Sequence, residues 1–104
     1  MARTSALRWT GPALEDLRSI RDWVAAEGKP EAAKRLADKI RRRVSGLPDH
    51  PRVGRRVPEF PDSAYREVFV GPYRIVYEPS GEQIVILRIW HGRRDLSRIS
   101  RIDT

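Results

Sequence analysis

Pro48, Pro51, Pro58 and Pro61 fall within fourteen residues of a 104-residue chain, and neither a helix nor a central strand tolerates that density of missing amide donors. The chain is therefore cut in two, and the halves carry different periods. Before the prolines, Ala13, Leu17, Ile20 and Val24 recur at helical spacing, and Ala33, Leu36, Ala37, Ile40, Val44 and Leu47 make a second helical stripe. After them, residues 65–70, 73–78 and 83–91 are rich in β-branched and aromatic side chains and are punctuated by Gly71-Pro72 and by Pro79-Ser80-Gly81-Glu82. Two helices followed by a three-stranded meander define an α+β chain with one core.

Local signals sharpen the helical half. Residues 4–9 read as a short strand with Leu7 and Trp9 on one side. Thr10 then offers a hydroxyl cap, Pro12 suits a first turn, and Glu15 and Asp16 suit the positive helix end. Gly28 is placed to stop the first helix in the left-handed conformation. Lys29 is a poor cap, yet Pro30 and Glu31 fit the start of a second helix, so the two form a tight antiparallel hairpin. The expected fold is an N-terminal strand and this hairpin packed on an antiparallel sheet that the C-terminal meander completes. The proline-rich segment is expected to be an exposed, basic loop. An even loop at 79–82 sets Glu78 opposite Gln83 and Arg74 opposite Leu87, which puts Arg74, Val76, Val85, Ile89 and His91 on one face of the sheet.

Composition removes whole classes of function. With no cysteine and two histidines, the chain has no disulfide, thiolate metal site or cysteine nucleophile, and neither a metal nor another cofactor is expected. The start lacks the apolar run of a signal peptide and no segment is apolar enough to span a bilayer, so a cytoplasmic protein without a membrane partner is expected. Repeats and long linkers are absent. Residues 1–104 read as a single domain with a basic tail from about 92 to 104 that orders on a partner.

Net charge is +7, and it is concentrated. Arg41, Arg42, Arg43, Arg52, Arg55 and Arg56 face only Asp49 within residues 41–57, and Arg88, Arg93, Arg94, Arg98 and Arg101 face only Asp95 within residues 88–101. Focused arginine marks contact with a polyanion or an acidic protein.

The order strand, helix, helix, proline-rich loop, meander and basic tail carries specific residues: Leu7-Arg8-Trp9-Thr10, Ala13-Leu14-Glu15-Asp16-Leu17, Gly54-Arg55, Arg66-Glu67, Tyr73-Arg74-Ile75-Val76-Tyr77, and the run from Ile86 to Asp95 that ends His-Gly-Arg-Arg-Asp. Across nearly the whole chain this resembles the RelE/ParE superfamily of bacterial toxins from type II toxin–antitoxin pairs. The resemblance implies a small sheet-and-hairpin fold, growth inhibition, and a cognate antitoxin joined to the toxin in a hetero-oligomer. The superfamily contains both ribosome-dependent messenger-RNA endonucleases and ParE-like poisons of DNA gyrase, and fold alone does not separate them.

Metal-free RNA cleavage needs a base, a cation for the phosphorane and an acid for the leaving oxygen. On the nuclease alternative Glu59, Arg74 and His91 are the catalytic candidates, with the ribosome and mRNA as partners. Each also has a structural reading: Glu59 sits in the proline-rich loop, Arg74 is placed to pair with Glu67 or Glu78, and His91 ends a strand with Asp95 four residues on. The ParE-like alternative requires a charged, shape-complementary surface and no catalytic group. Arg88, Arg93, Arg94 and Arg98 are its target-binding candidates, and DNA gyrase is the partner. The opening Leu14, Glu15, Asp16, Leu17, Ile20 and the scarcity of lysine favour that branch. A plain nucleic-acid-binding module is the third class, disfavoured because Glu31 and Asp38 interrupt the basic face of the second helix.

Overall fold

The computed structural model describes residues 6–96 and Ile102. Strand β1 (Ala6–Trp9) leads into helix α1 (Gly11–Ala26), helix α2 (Pro30–Ser45) and a short 3-10 turn at Leu47–Asp49. Strands β2 (Arg55–Arg56), β3 (Arg66–Val70), β4 (Tyr73–Ser80) and β5 (Gln83–His91) follow. The five strands form one sheet in the order β1-β5-β4-β3-β2. No helix among the described residues is long and apolar enough to cross a membrane.

The expected caps are present. The Thr10 hydroxyl accepts from Ala13 N at 3.2 Å and also donates toward the Ile86 carbonyl at 2.8 Å, so one side chain caps α1 and ties it to β5. Gly28 adopts φ 83°, a conformation that L side chains avoid, and turns the chain into α2. Lys29 makes no side-chain capping bond.

Both faces of the sheet are covered. On one, Ala13 and Leu17 of α1 and Ala37, Ile40 and Val44 of α2 pack on Val68, Ile75, Tyr77, Ile84, Ile86 and Ile89. On the other, Val57, Phe60, Leu96 and Ile102 close over Val76, Val85, Leu87 and Trp90. Ile40 is wholly buried among these groups. Ile40→Ala should cost about 2–4 kcal/mol in a urea-unfolding measurement; a loss below about 1 kcal/mol would mean that the hairpin is not seated as described.

Several expectations need correction. The sheet is mixed, because β1 joins β5 in parallel, with Leu7 beside Ile84 and Trp9 beside Ile86. Ile20, Val24 and Leu36 are only partly buried, because they lie at the margins of the hairpin's contact with the sheet. The proline-rich segment is neither irregular throughout nor fully exposed. It contains β2, paired to β3, and it buries Val57 and Phe60 against the second face.

The meander register also differs from the even-loop expectation. Ser80 pairs with Gln83, so the loop is only Gly81-Glu82, and Glu78 lies opposite Val85 rather than Gln83. Tyr77 then pairs with Ile86 but Val76 with Arg88, which leaves Leu87 as an extra residue. Such a bulge reverses the alternation beyond it. Arg74 consequently lies opposite Trp90, and Tyr73 opposite His91. Adjacent pairs point to opposite faces, so Arg74 and His91 do not share a face as expected. In the tail, Leu96 and Ile102 are buried; the remainder of the tail beyond Leu96 lies outside the described residues.

Candidate functional site

Arg74 is the second residue of β4, on the sheet face away from the helices, with its side chain only 5% exposed. A buried guanidinium requires anionic partners, and two carboxylates supply them. Glu59, carried by the loop after β2, accepts from Arg74 Nη1 at 2.9 Å and from Nη2 at 2.7 Å. Glu67, fully buried in β3, accepts from Nε at 2.8 Å and Nη2 at 2.5 Å. The second oxygen of Glu67 receives Arg55 Nε at 2.6 Å. Of the two partners anticipated for Arg74, Glu67 is the one engaged.

These bonds shift proton affinities in consistent directions. The hydrogen bonds from Arg74 hold the Glu59 carboxyl below its ordinary value of 4.5 despite some opposing desolvation. The hydrogen bond to Glu59, with that to Glu67, raises Arg74 still further from neutrality against the cost of burial. A carboxylate whose pKa is depressed on folding contributes stability that is present above its unfolded pKa and lost as pH falls through the folded value. Glu59→Gln should therefore flatten the acid side of the stability profile, measured as urea midpoints from about pH 6 to about pH 3. An unchanged slope would show that Glu59 does not hold Arg74 in solution.

The loop before β2 is clamped to the same region. Tyr77 Oη accepts from Gly54 N at 2.9 Å and donates to the Pro51 carbonyl at 2.9 Å, and burial pushes the phenol above its ordinary pKa. A Cβ on Gly54 would lie 2.6 Å from the Glu67 carbonyl and 2.7 Å from Tyr77 Oη, so only glycine fits there.

His91 lies on the helix side. Its ring meets Tyr73 edge-on at 5.6 Å, and its Nδ1 accepts from Arg93 N at 3.1 Å. Thus Glu59 and Arg74 are brought together, and His91 is not. Arg88 is also occupied, since its Nε and Nη2 donate to Asp16 of α1 at 2.7 and 2.9 Å, and that hydrogen bond raises its pKa. Ile89 N donates to the same carboxylate at 2.9 Å. Arg94 stacks over Trp90, 5.3 Å from the ring centre, and Arg88 lies over the same ring at 5.1 Å. Arg93 and Arg94 are exposed, and Arg98 lies outside the described residues. No cluster of three or more potential metal ligands occurs among the described residues.

Two features escaped the sequence reading. Asp16 is more than a helix-end charge, and the signal was Arg88 itself, a charge inside the apolar run from Ile84 to Trp90 that demanded a partner. Trp23 falls off the apolar stripe of α1 and is 64% exposed. With Ile20, Tyr73, Ile89, Trp90 and Arg94 it lines a groove of about 410 Å³ between α1 and the end of β5.

Comparison with known proteins agrees with this architecture. The family described as the ParE toxin of the type II toxin–antitoxin system parDE matches residues 7–96. Toxin RelE2 of Caulobacter vibrioides is 36% identical over 87 residues, which is 83% of this chain and 93% of that protein. Among solved structures, a chromosomal ParDE toxin–antitoxin system from P. aeruginosa superposes with a TM-score of 0.74 at 26% identity, over 86% of this chain and 98% of that one. The RelBE2 toxin–antitoxin complex of Mycobacterium tuberculosis has the same fold, with a TM-score of 0.62 at 23% identity over 83% and 95% of the two chains. The chain belongs to the ParE toxin family of type II toxin–antitoxin systems, within the RelE/ParE superfamily.

Proposed function

We propose that this toxin acts in the cytoplasm by poisoning DNA gyrase through a bound surface, and that a cognate antitoxin neutralises it. The observation that carries this reading is the disposition of Arg74 and His91. Arg74 is saturated by two carboxylates, and His91 points to the opposite face of the sheet. A nuclease needs its base, its phosphate-binding cation and its acid around one scissile bond, and these three side chains do not converge. A gyrase poison needs only a complementary charged surface, for which exposed Arg93 and Arg94 are available at the end of β5.

Purified protein offered in parallel to a gyrase supercoiling assay and to a translating ribosome extract tests the proposal. Gyrase should be inhibited, and primer extension should find the messenger uncut. His91→Gln should leave growth arrest within a few-fold of the parent, because no proton transfer depends on it. Loss of a true general acid costs a factor of about 100 or more. A folded His91→Gln protein that no longer arrests growth, together with mapped messenger cuts, would overturn the gyrase reading in favour of Glu59, Arg74 and His91 as a catalytic set.

A further inference from the structure

The arginines of residues 41–57 take no part in the surface at the end of β5, and the fold gathers several of them at the opposite edge of the sheet. β2 is the outermost strand, beside β3, and Arg56 lies directly opposite Arg66. Val68 and Val70 pack with the helices, so Arg66 and Arg56 share the helix side of this edge. Like charges facing each other across two strands repel. Arg66 Nη1 donates to the Gly54 carbonyl at 2.7 Å and more weakly to the Arg52 carbonyl at 3.4 Å, and Arg56 Nη2 donates to the Ser63 carbonyl. Carbonyls hold the two guanidinium groups in place and leave their charge intact.

The end of α2 reaches the same place. Arg43, in its last turn, and Arg66 both favour the ionised form of the Tyr77 phenol against its burial, and Tyr77 Oη is bonded to Pro51 and Gly54 on either side of Arg52 and Val53. Residues 41–66 hold seven arginines against Asp49, Glu59 and Asp62. Glu59 is spent on Arg74, and buried Glu67 on Arg74 and Arg55.

The surroundings select the partner. Phe69, the exposed aromatic of β3, lies opposite Arg74 and faces the other side of the sheet, where it cannot stack a base held at the cluster. Val53 is the large apolar side chain exposed within residues 41–66, too little for the apolar centre of a protein interface. Arginine forks fixed on a strand edge match phosphate oxygens.

We infer that Arg43, Arg52, Arg56 and Arg66 form a site for the phosphate backbone of duplex DNA, bound without regard to base sequence. The inference deepens the gyrase reading and rests on it for the choice of DNA over RNA: one edge of the toxin holds the nucleic acid on which gyrase works, while Arg93 and Arg94 meet the enzyme.

Fluorescence anisotropy of the full-length toxin with labelled duplex DNA of arbitrary sequence, over a series of salt concentrations, tests this. Replacing Arg52 and Arg56 together by glutamine should lower the slope of log affinity against log salt by about 2, one for each phosphate contact removed, and weaken binding by about 10-fold or more. Arg56→Lys should keep the slope, because the charge remains. Lys34→Gln removes an exposed charge about 13 Å before Arg43 on α2 and should stay within about twofold, which controls for net charge. Circular dichroism should show that each variant folds, as expected for exposed positions.

A double variant with the parent's affinity and salt slope overturns the inference. So does a parent that binds duplex RNA of the same sequence, or a single strand, more tightly than duplex DNA. A double variant that keeps its DNA affinity and loses gyrase inhibition overturns it too, because the cluster would then face the enzyme itself. A parent that inhibits gyrase without binding DNA removes this inference alone. Failure of the gyrase reading is distinct: the parent would bind duplex DNA through these arginines and leave supercoiling untouched.

Discussion

Glu67→Ala should lower the unfolding free energy by about 3 kcal/mol, a large part of the 5–15 kcal/mol typical of a small domain. Glu67 is completely buried and receives three hydrogen bonds, two from Arg74 and one from Arg55. Removing it leaves Arg74, only 5% exposed, with Glu59 as its remaining partner. The residual pairing keeps the loss toward the low end of the range for broken buried ion pairs. The same physics makes a second result informative. Replacing both partners by apolar groups, as in Glu67→Leu with Arg74→Met, removes the buried charge along with its counter-ion, so most of the stability should return. Glu59 and Arg55, which lose a partner in that double variant, are exposed enough for water to solvate them. Urea midpoints of the parent, the two single variants and the double variant decide the matter. A Glu67→Ala loss below about 1 kcal/mol, or a double variant no better than the worse single one, would show that the pair is not buried as described.

The reason this network was only half legible from the chain is geometric. The helical stripes, the Thr10 cap, the Gly28 stop and the strand runs are local, and each follows from spacing that any reader of the chain can count. Register is not local. One extra residue at Leu87 reverses the facing of everything beyond it, and no side chain near it announces a bulge. Spacing alone leaves Glu67 and Glu78 both open as partners of Arg74, and only the β3–β4 register selects Glu67. That His91 lies across the sheet from Arg74 depended entirely on the bulge. The burial of Val57 and Phe60 was hidden in a similar way, because prolines on either side made an ordered strand and core contact look like an open loop. Trp23 lies off the α1 stripe of Ala13, Leu17, Ile20 and Val24, so the helical period assigns it no place. Its place emerges only with the groove that β5 and Tyr73 build next to it.

If toxicity comes from a bound surface, replacing Arg93 and Arg94 together by alanine should reduce potency far more than any change at His91. Well-placed interfacial arginines are each worth roughly 1–3 kcal/mol, so the pair should cost on the order of 100-fold in the concentration that inhibits gyrase. Neither residue carries the fold. Both are exposed at the end of β5, and the contact that Arg94 makes with Trp90 is duplicated from the other guanidinium by Arg88, which Asp16 holds in place. Circular dichroism and urea midpoints of the double variant should therefore stay close to the parent, within about 1 kcal/mol. Arg88 provides the contrast. It is spent on Asp16, so Arg88→Ala should act mainly by loosening α1 from β5, and its effect on gyrase should track its effect on stability. The salt dependence supplies an independent check, since contacts made by rim arginines weaken as ionic strength rises. A double variant that inhibits gyrase like the parent, at low and high salt alike, would remove these arginines from the target surface and leave the basic face of residues 41–57 as the surface to test.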